Sequence, residues 1–240
     1  MQPITTIIFD VYETLVHNYV GLWKDAFKYI CNLQDLRMDP NLLWTRWKAI
    51  EVEFRNRRVN LSDPDQSPPF KSYREIWQEC FSKAFIDLGL MGDAYSAAEI
   101  LRTEMGRRNP YPDVWPSLKH LGSDYRLAAL SNADDDFLEV LLSNHSFPFE
   151  VVLSSESAQV YKPHPKAFLQ IVAQLGISME EGLFVGDSLF DDIQGARMVG
   201  MRVVWINRTG VLQEEPLPYP DYEIIDLTQL HGVLQSLQGV

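Results

Sequence analysis

The sequence predicts an α/β protein, a doubly wound parallel sheet carrying an inserted all-helical domain. Two observations predict it. Five short apolar runs each end in polar residues, and the later runs alternate with segments of helical periodicity. Between the first run and the second, residues 16–105 hold amphipathic helices and no convincing strand.

The strands come first. The runs are TTIIFD (5–10), YRLAALSN (125–132), FEVVLSS (149–155), GLFVGDS (182–188) and MRVVWIN (201–207). Each is continuous rather than alternating, as expected of strands covered on both faces. The intervening helices follow from periodicity. In 134–145, Phe137, Val140, Leu141 and Leu142 are spaced for one face. In 163–176, Phe168, Ile171, Val172 and Leu175 form a stripe that stops at Gly176, a helix C-cap residue. The segment 190–200 stops in the same way at Gly200. The inserted block reads as helices over 19–34, 40–58, 72–90 and 93–108, with the loop SDPDQSPP (62–69) between the second and third. The expected boundaries are therefore 1–15 and 106–240 for the α/β domain and 16–105 for the helical one. The insertion leaves and re-enters at a strand end, where open α/β sheets hold their sites, so it is expected to act as a lid.

Composition removes several function classes. A net charge of −12 disfavours a broad polyanion-binding surface, so nucleic acid is not an expected partner. No apolar run approaches the roughly 18 residues that a membrane span requires. The first residues lack the basic start and long apolar stretch of a secretion signal. Cys31 and Cys80 have no metal-like spacing and read as reduced, buried thiols. A cytoplasmic protein, monomeric or homodimeric, is expected.

The polar residues fall where a site belongs. Asp10 and Thr14 follow the first strand, and Ser131 and Asn132 end the second. Lys162 follows the third; Asp187, Ser188, Asp191 and Asp192 follow the fourth. Any one of these could be a turn or cap residue. Parallel, adjacent strands would gather all of them at one sheet edge.

In order, FDVYETLV, LSNA, VYKPHP and VGDSLFDDI resemble the four motifs of the haloacid dehalogenase (HAD) superfamily, and the helical insertion after the first resembles its cap domain. The resemblance spans the chain. It implies a HAD-like Rossmannoid core in which Asp10 is a nucleophile forming a covalent aspartyl intermediate. It also implies that Lys162 neutralises charge, that Thr14 positions the nucleophile, and that Ser131 and Asn132 bind the substrate. A small anionic substrate is the expected partner, since a carboxylate attacking an anion needs positive charge beside it.

Within the superfamily the residues point two ways. Tyr12 stands where phosphatases carry the Asp that protonates the departing alkoxide, and a phenol of pKa about 10 is a poor substitute at neutral pH. The 2-haloacid dehalogenases have a Tyr there in a similar stretch, and halide leaves without a proton; Tyr12 is accordingly an expected substrate-binding residue. The fourth motif points the other way. Asp187 would lie beside Asp10, and two close carboxylates need a shared proton or cation. Mg²⁺ suits such a set, with Asp10, Tyr12 and Asp187 as the expected ligand positions. Ser188, Asp191 and Asp192 are expected to support them from behind. In the helical insertion, WKAIEVEF (47–54) loosely resembles the dehalogenase stretch whose Arg grips the halide or carboxylate; the resemblance implies substrate binding by Lys48, which lacks the planar fork of Arg. A Mg²⁺-dependent phosphatase acting on a small phosphorylated metabolite is the leading expectation. A metal-free 2-haloacid dehalogenase is the alternative, and a weakly active or non-enzymatic phosphometabolite-binding protein a further one.

Overall fold

A computed structural model describes residues 2–212 and 219–238. In chain order the elements are β1 (Thr6–Phe9), α1 (Val20–Leu33), α2 (Pro40–Arg57), α3 (Tyr73–Asp87), α4 (Ala94–Met105), α5 (Val114–Leu121) and β2 (Arg126–Ser131). Then follow α6 (Asp135–His145), β3 (Val151–Ser154), α7 (Ser155–Ala158), α8 (Pro165–Leu175) and β4 (Gly182–Gly186). A π-helical segment, Leu189–Gln194, runs into α9 (Gly195–Met198), and β5 (Arg202–Ile206), β6 (Tyr222–Ile224) and α10 (Leu230–Gln238) complete the chain.

All six strands are parallel, in the order β3-β2-β1-β4-β5-β6. The five apolar runs supply β1 to β5. β6 was not expected: its three residues, Tyr-Glu-Ile, bury only the last side chain, too little to make a readable pattern. β1 is central. Phe9 is in register with Ala129 of β2 and Val185 of β4, so the segments leaving these strands emerge side by side. The order reverses beside β1, where ligands of doubly wound sheets bind.

One face of the sheet is closed by α8. Ala167, Phe168, Ile171, Val172 and Leu175 are buried against Ile8, Leu130 and Phe184. Phe168 meets Phe184 edge to face at 5.2 Å. The predicted stop of α8 is present: Gly176 has φ 65°, left-handed backbone that favours glycine.

Contacts divide the chain into two units, residues 1–17, 109–132 and 145–240 in one, and 18–108 with 133–144 in the other. The sequence reading had placed 133–144 with the α/β domain. Their side chains explain the difference. Asp134 accepts the backbone N–H groups of Tyr73 and Arg74 at 2.7 and 2.8 Å, satisfying donors at the start of α3. Phe137 stacks on Trp77 at 5.7 Å, and Asp136 pairs with Arg74 and Arg102. The buried stripe of α6 also differs by one position. Phe137, Leu138, Leu141 and Leu142 are buried, whereas Val140 is half exposed.

The helical unit is built on aromatic rings. Phe27 lies 5.2 to 5.3 Å from Trp44, Trp47 and Phe81. α3 starts at a reciprocal cap between Ser72 and Glu75. Cys31 and Cys80 are free, buried thiols in this unit, and burial pushes the Cys80 pKa up to about 12. Among the described residues, no helix is long and apolar enough to cross a membrane.

Candidate active site

Lys162 is the centre of the site. Its side chain is 2% exposed, and its Nζ donates to Asp10 Oδ1 at 2.7 Å and to Asp192 Oδ1 at 2.6 Å. Burial opposes its charge, but Asp10 and Asp192 outweigh burial and raise its pKa above that of an ordinary lysine. The loop carrying Lys162 is held by Asn132, at the end of β2. The Asn132 Oδ1 accepts the Lys162 N–H at 2.8 Å, and its Nδ2 donates to the Lys162 carbonyl at 3.1 Å. In the structure the Asn132 amide fixes the lysine backbone.

The nucleophile candidate is seated by the sheet. Asp10 follows β1 directly, and its N–H donates to Val185 O at 2.9 Å, extending the ladder one residue past the strand. Ser131, at the end of β2, is 1% exposed, and its Oγ has no hydrogen-bond partner among the described residues. A buried hydroxyl in that state remains available to a bound group.

Three carboxylates converge here. Asp10, Asp187 and Asp192 each offer an oxygen, all within 4.8 Å of one another. Asp192 is brought in by the π-helical segment: Ser188 O accepts from both Asp192 N at 3.0 Å and Ile193 N at 3.1 Å, the latter five residues on. The Ser188 N–H in turn donates to Asp192 Oδ2 at 3.0 Å, and Ser188 Oγ accepts from Asp191 N. Gly186 is required beneath this group, because a Cβ there would fall on the Asp192 carboxylate. Asp192, expected behind the ligands, is thus in direct contact with Lys162. Asp191 is buried, and Ser188 is half-buried in the same turn.

The charges do not balance. One ammonium faces three carboxylates. Burial, then Asp10 and Asp192, hold the Asp187 pKa well above the usual carboxylate range. Burial pushes Asp192 up to about 7, against the opposing pull of Lys162. A hard divalent cation is the partner such an oxygen set accepts. The donor set fits Mg²⁺, with Asp10 and Asp187 the carboxylates best placed to hold it, since Asp192 already accepts at both oxygens, from Lys162 and from the Ser188 N–H, whereas Lys162 takes one oxygen of Asp10.

Thr14 is fully buried and sits 3.5 Å from Asp187 Oδ1, a long contact. Its carbonyl is held more firmly, by a residue that sequence reasoning missed. Arg208, just past β5, donates to Thr14 O at 3.1 and 2.8 Å and to the Asp113 carboxylate at 3.1 and 3.0 Å. Its guanidinium lies 3.9 Å over the Tyr111 ring, and Tyr111 Oη donates to Glu13 Oε2 at 3.0 Å. Glu13 has φ 66°, left-handed backbone unusual for a side chain of that size. The turn after Asp10 is therefore strapped to β5 and to the start of α5. Tyr12, half-buried, lies in this turn and forms a bridge with Val16.

Lys48 lies on α2 in the helical unit and pairs with Glu51 at 2.6 Å, 5.9 Å over the Trp44 ring. His164 serves as the N-cap of α8, its Nδ1 accepting from Lys166 N at 3.1 Å.

The model of the haloacid dehalogenase-like hydrolase family matches residues 4–200. The chain belongs to this family. The (S)-2-haloacid dehalogenase of Pseudomonas sp. strain YL is 28% identical over 244 residues, covering 100% of this chain and 98% of that protein. The glyceraldehyde 3-phosphate phosphatase of Methanopyrus kandleri is 37% identical over 142 residues, covering 56% and 60%. The magnesium-bound structure of the HAD hydrolase YfnB from Bacillus subtilis superposes with a TM-score of 0.79, at 19% identity, over 98% of this chain and 100% of that one. That likeness establishes a common fold.

Proposed function

We propose that this HAD-family hydrolase uses Asp10 as its nucleophile on a small phosphorylated substrate, with Mg²⁺ held by Asp10 and Asp187. One observation carries the reading: three carboxylates lie within 4.8 Å of one another, with a single lysine bonded to two of them. An anionic substrate approaching that surplus of negative charge would be repelled. When bound, Mg²⁺ would supply positive charge to the phosphoryl oxygens. The free oxygen of Asp10 attacks phosphorus, the ester P–O bond breaks, and the leaving oxygen departs with the bonding pair. Water then attacks phosphorus, and Asp10 is regenerated as phosphate is released. Lys162 holds Asp10 aimed throughout, through the hydrogen bond to its Oδ1. Ser131 Oγ is placed to donate to the transferring group. Position 12 lacks a carboxylic acid, so the reading favours acidic leaving groups, aryl or acyl phosphates over alkyl ones.

Tyr12 and the relatives favour a second reading, and the relatives weigh more heavily for it. The relative matched from end to end is a 2-haloacid dehalogenase, whereas the phosphatase covers little more than half the chain. In that reaction Asp10 attacks carbon, halide leaves without a proton, and water hydrolyses the resulting ester.

Release of inorganic phosphate from p-nitrophenyl phosphate and of chloride from 2-chloropropionate, each with Mg²⁺ and with EDTA, separates the two. The proposal expects phosphate with Mg²⁺ alone and no chloride. Chloride release that persists in EDTA would establish the second reading and refute the first.

A further inference from the structure

We propose a second cation site on the α/β unit, remote in sequence from the carboxylate cluster, in which His120 and His231 bind a divalent d-block cation such as Zn²⁺ or Cu²⁺. His120 is in the last turn of α5 and His231 in the first turn of α10. Their Nε2 and Nδ1 atoms lie 3.2 Å apart. Two imidazole nitrogens each about 2.1 Å from one tetrahedral Zn²⁺ are separated by roughly 3.4 Å, so these two already stand at the spacing of ligands on one ion. The ring centroids are 4.8 Å apart at 61°, and rotating the rings turns both lone pairs toward a common point.

The other nitrogen of His231 is also engaged. Its Nε2 lies 3.0 Å from the side-chain amide nitrogen of Gln235, one turn further along α10. Amide oxygen and nitrogen exchange places by a flip. With the oxygen inward, Gln235 accepts the Nε2–H and leaves the lone pair on Nδ1, facing His120. A partner that fixes the tautomer in this way is what metal-bound imidazoles have behind them. A recess of about 180 Å³ adjoins the pair, bounded by both histidines and by Ser117 and Thr228. It leaves room for the ion and water ligands between the two helices.

Donor chemistry separates this site from the other. Neutral imidazole suits Zn²⁺, Cu²⁺ and Ni²⁺, while a set of carboxylates suits Mg²⁺. An ion here would tie residue 120 to residue 231 and clip α10 to α5, stabilising the fold with no part in the chemistry at Asp10.

The test titrates the full chain with Zn²⁺ in a large excess of Mg²⁺, following heat and the thermal midpoint. One Zn²⁺ per chain is expected, with a rising midpoint. His120→Asn and His231→Asn should each abolish both, Gln235→Leu should weaken binding about tenfold, and Asp187→Asn should leave it intact. With Cu²⁺, nitrogen hyperfine structure in the electron paramagnetic resonance spectrum should report two imidazoles. Zn²⁺ binding that survives both histidine substitutions, or that disappears with Asp187→Asn, would overturn the proposal. So would an absence of binding, which would leave the pair as a hydrogen bond between surface side chains.

Discussion

Two largely buried cations serve the turn after β1, and their surroundings differ. Arg208 meets one carboxylate, Asp113, in a two-pronged pair, and spends its remaining donors on the Thr14 carbonyl. Charge is matched and geometry saturated, so the Asp113 carboxyl, despite its burial, is held below the usual range. Lys162 meets two carboxylates directly, with a third beside them, and Asp187 and Asp192 are held above that range. A matched pair has no need of another partner. An unmatched cluster is costly in the absence of a ligand, and under the proposed function the bound cation offsets that cost. The comparison also separates two roles at one loop: Arg208 holds the backbone, and Lys162 sets the charge.

The largest expected effect comes from removing the cation of the unmatched cluster. Lys162→Met should abolish turnover and, by leaving Asp10 and Asp192 buried without a counter-charge, destabilise the chain by about 3–5 kcal/mol. Denaturant unfolding near neutral pH measures the second effect. Retained stability would mean that the carboxylates already share protons rather than depend on the lysine.

The next effect is on pH dependence. Asp192 titrates near 7 in the folded chain, against an ordinary value of 3.8. Between those values the native state binds more protons than the unfolded state, so this group's contribution to stability falls as pH rises from about 4 to about 7. Mg²⁺ binding requires the carboxylates ionised and should offset the loss. The difference in thermal midpoint with and without Mg²⁺ should therefore widen across that window, to ~5–10 °C at saturation. A constant difference would uncouple the cation from these carboxylates.

The smallest effect belongs to the matched pair. Arg208→Lys keeps the charge but loses the planar fork, and should cost about 1–2 kcal/mol of stability and about tenfold in turnover. Since Arg208 acts through the Thr14 backbone, kcat should fall with KM little changed. A raised KM at constant kcat would instead place Arg208 in contact with substrate.

Much of this arrangement was legible in the sequence. The α/β strands are continuous apolar runs, and parallel pairing forces the residues after β1, β2 and β4 together, so Asp10, Ser131 and Asp187 could be read from strand ends alone. The Arg208 strap could not be read, because one acceptor is a main-chain carbonyl 194 positions away and the other, Asp113, is 95 positions away with no pattern linking them. The hold of Asn132 on the Lys162 backbone was not legible, because it joins a side chain to a main chain 30 positions away. The π-helical turn hid the reach of Asp192, since helical spacing alone does not say whether residue 191 or 192 faces the lysine. The allegiance of α6 turned on Asp134 and Phe137 meeting residues of α3, which periodicity within α6 cannot report.

The central claim is that the unmatched carboxylates form a divalent-cation site. Calorimetric titration of Mg²⁺ into the wild-type chain and into Asp187→Asn tests it most directly. The account predicts one Mg²⁺ per wild-type chain and at least a tenfold loss of affinity in the variant. Equal binding by the two proteins, or none by either, would contradict it.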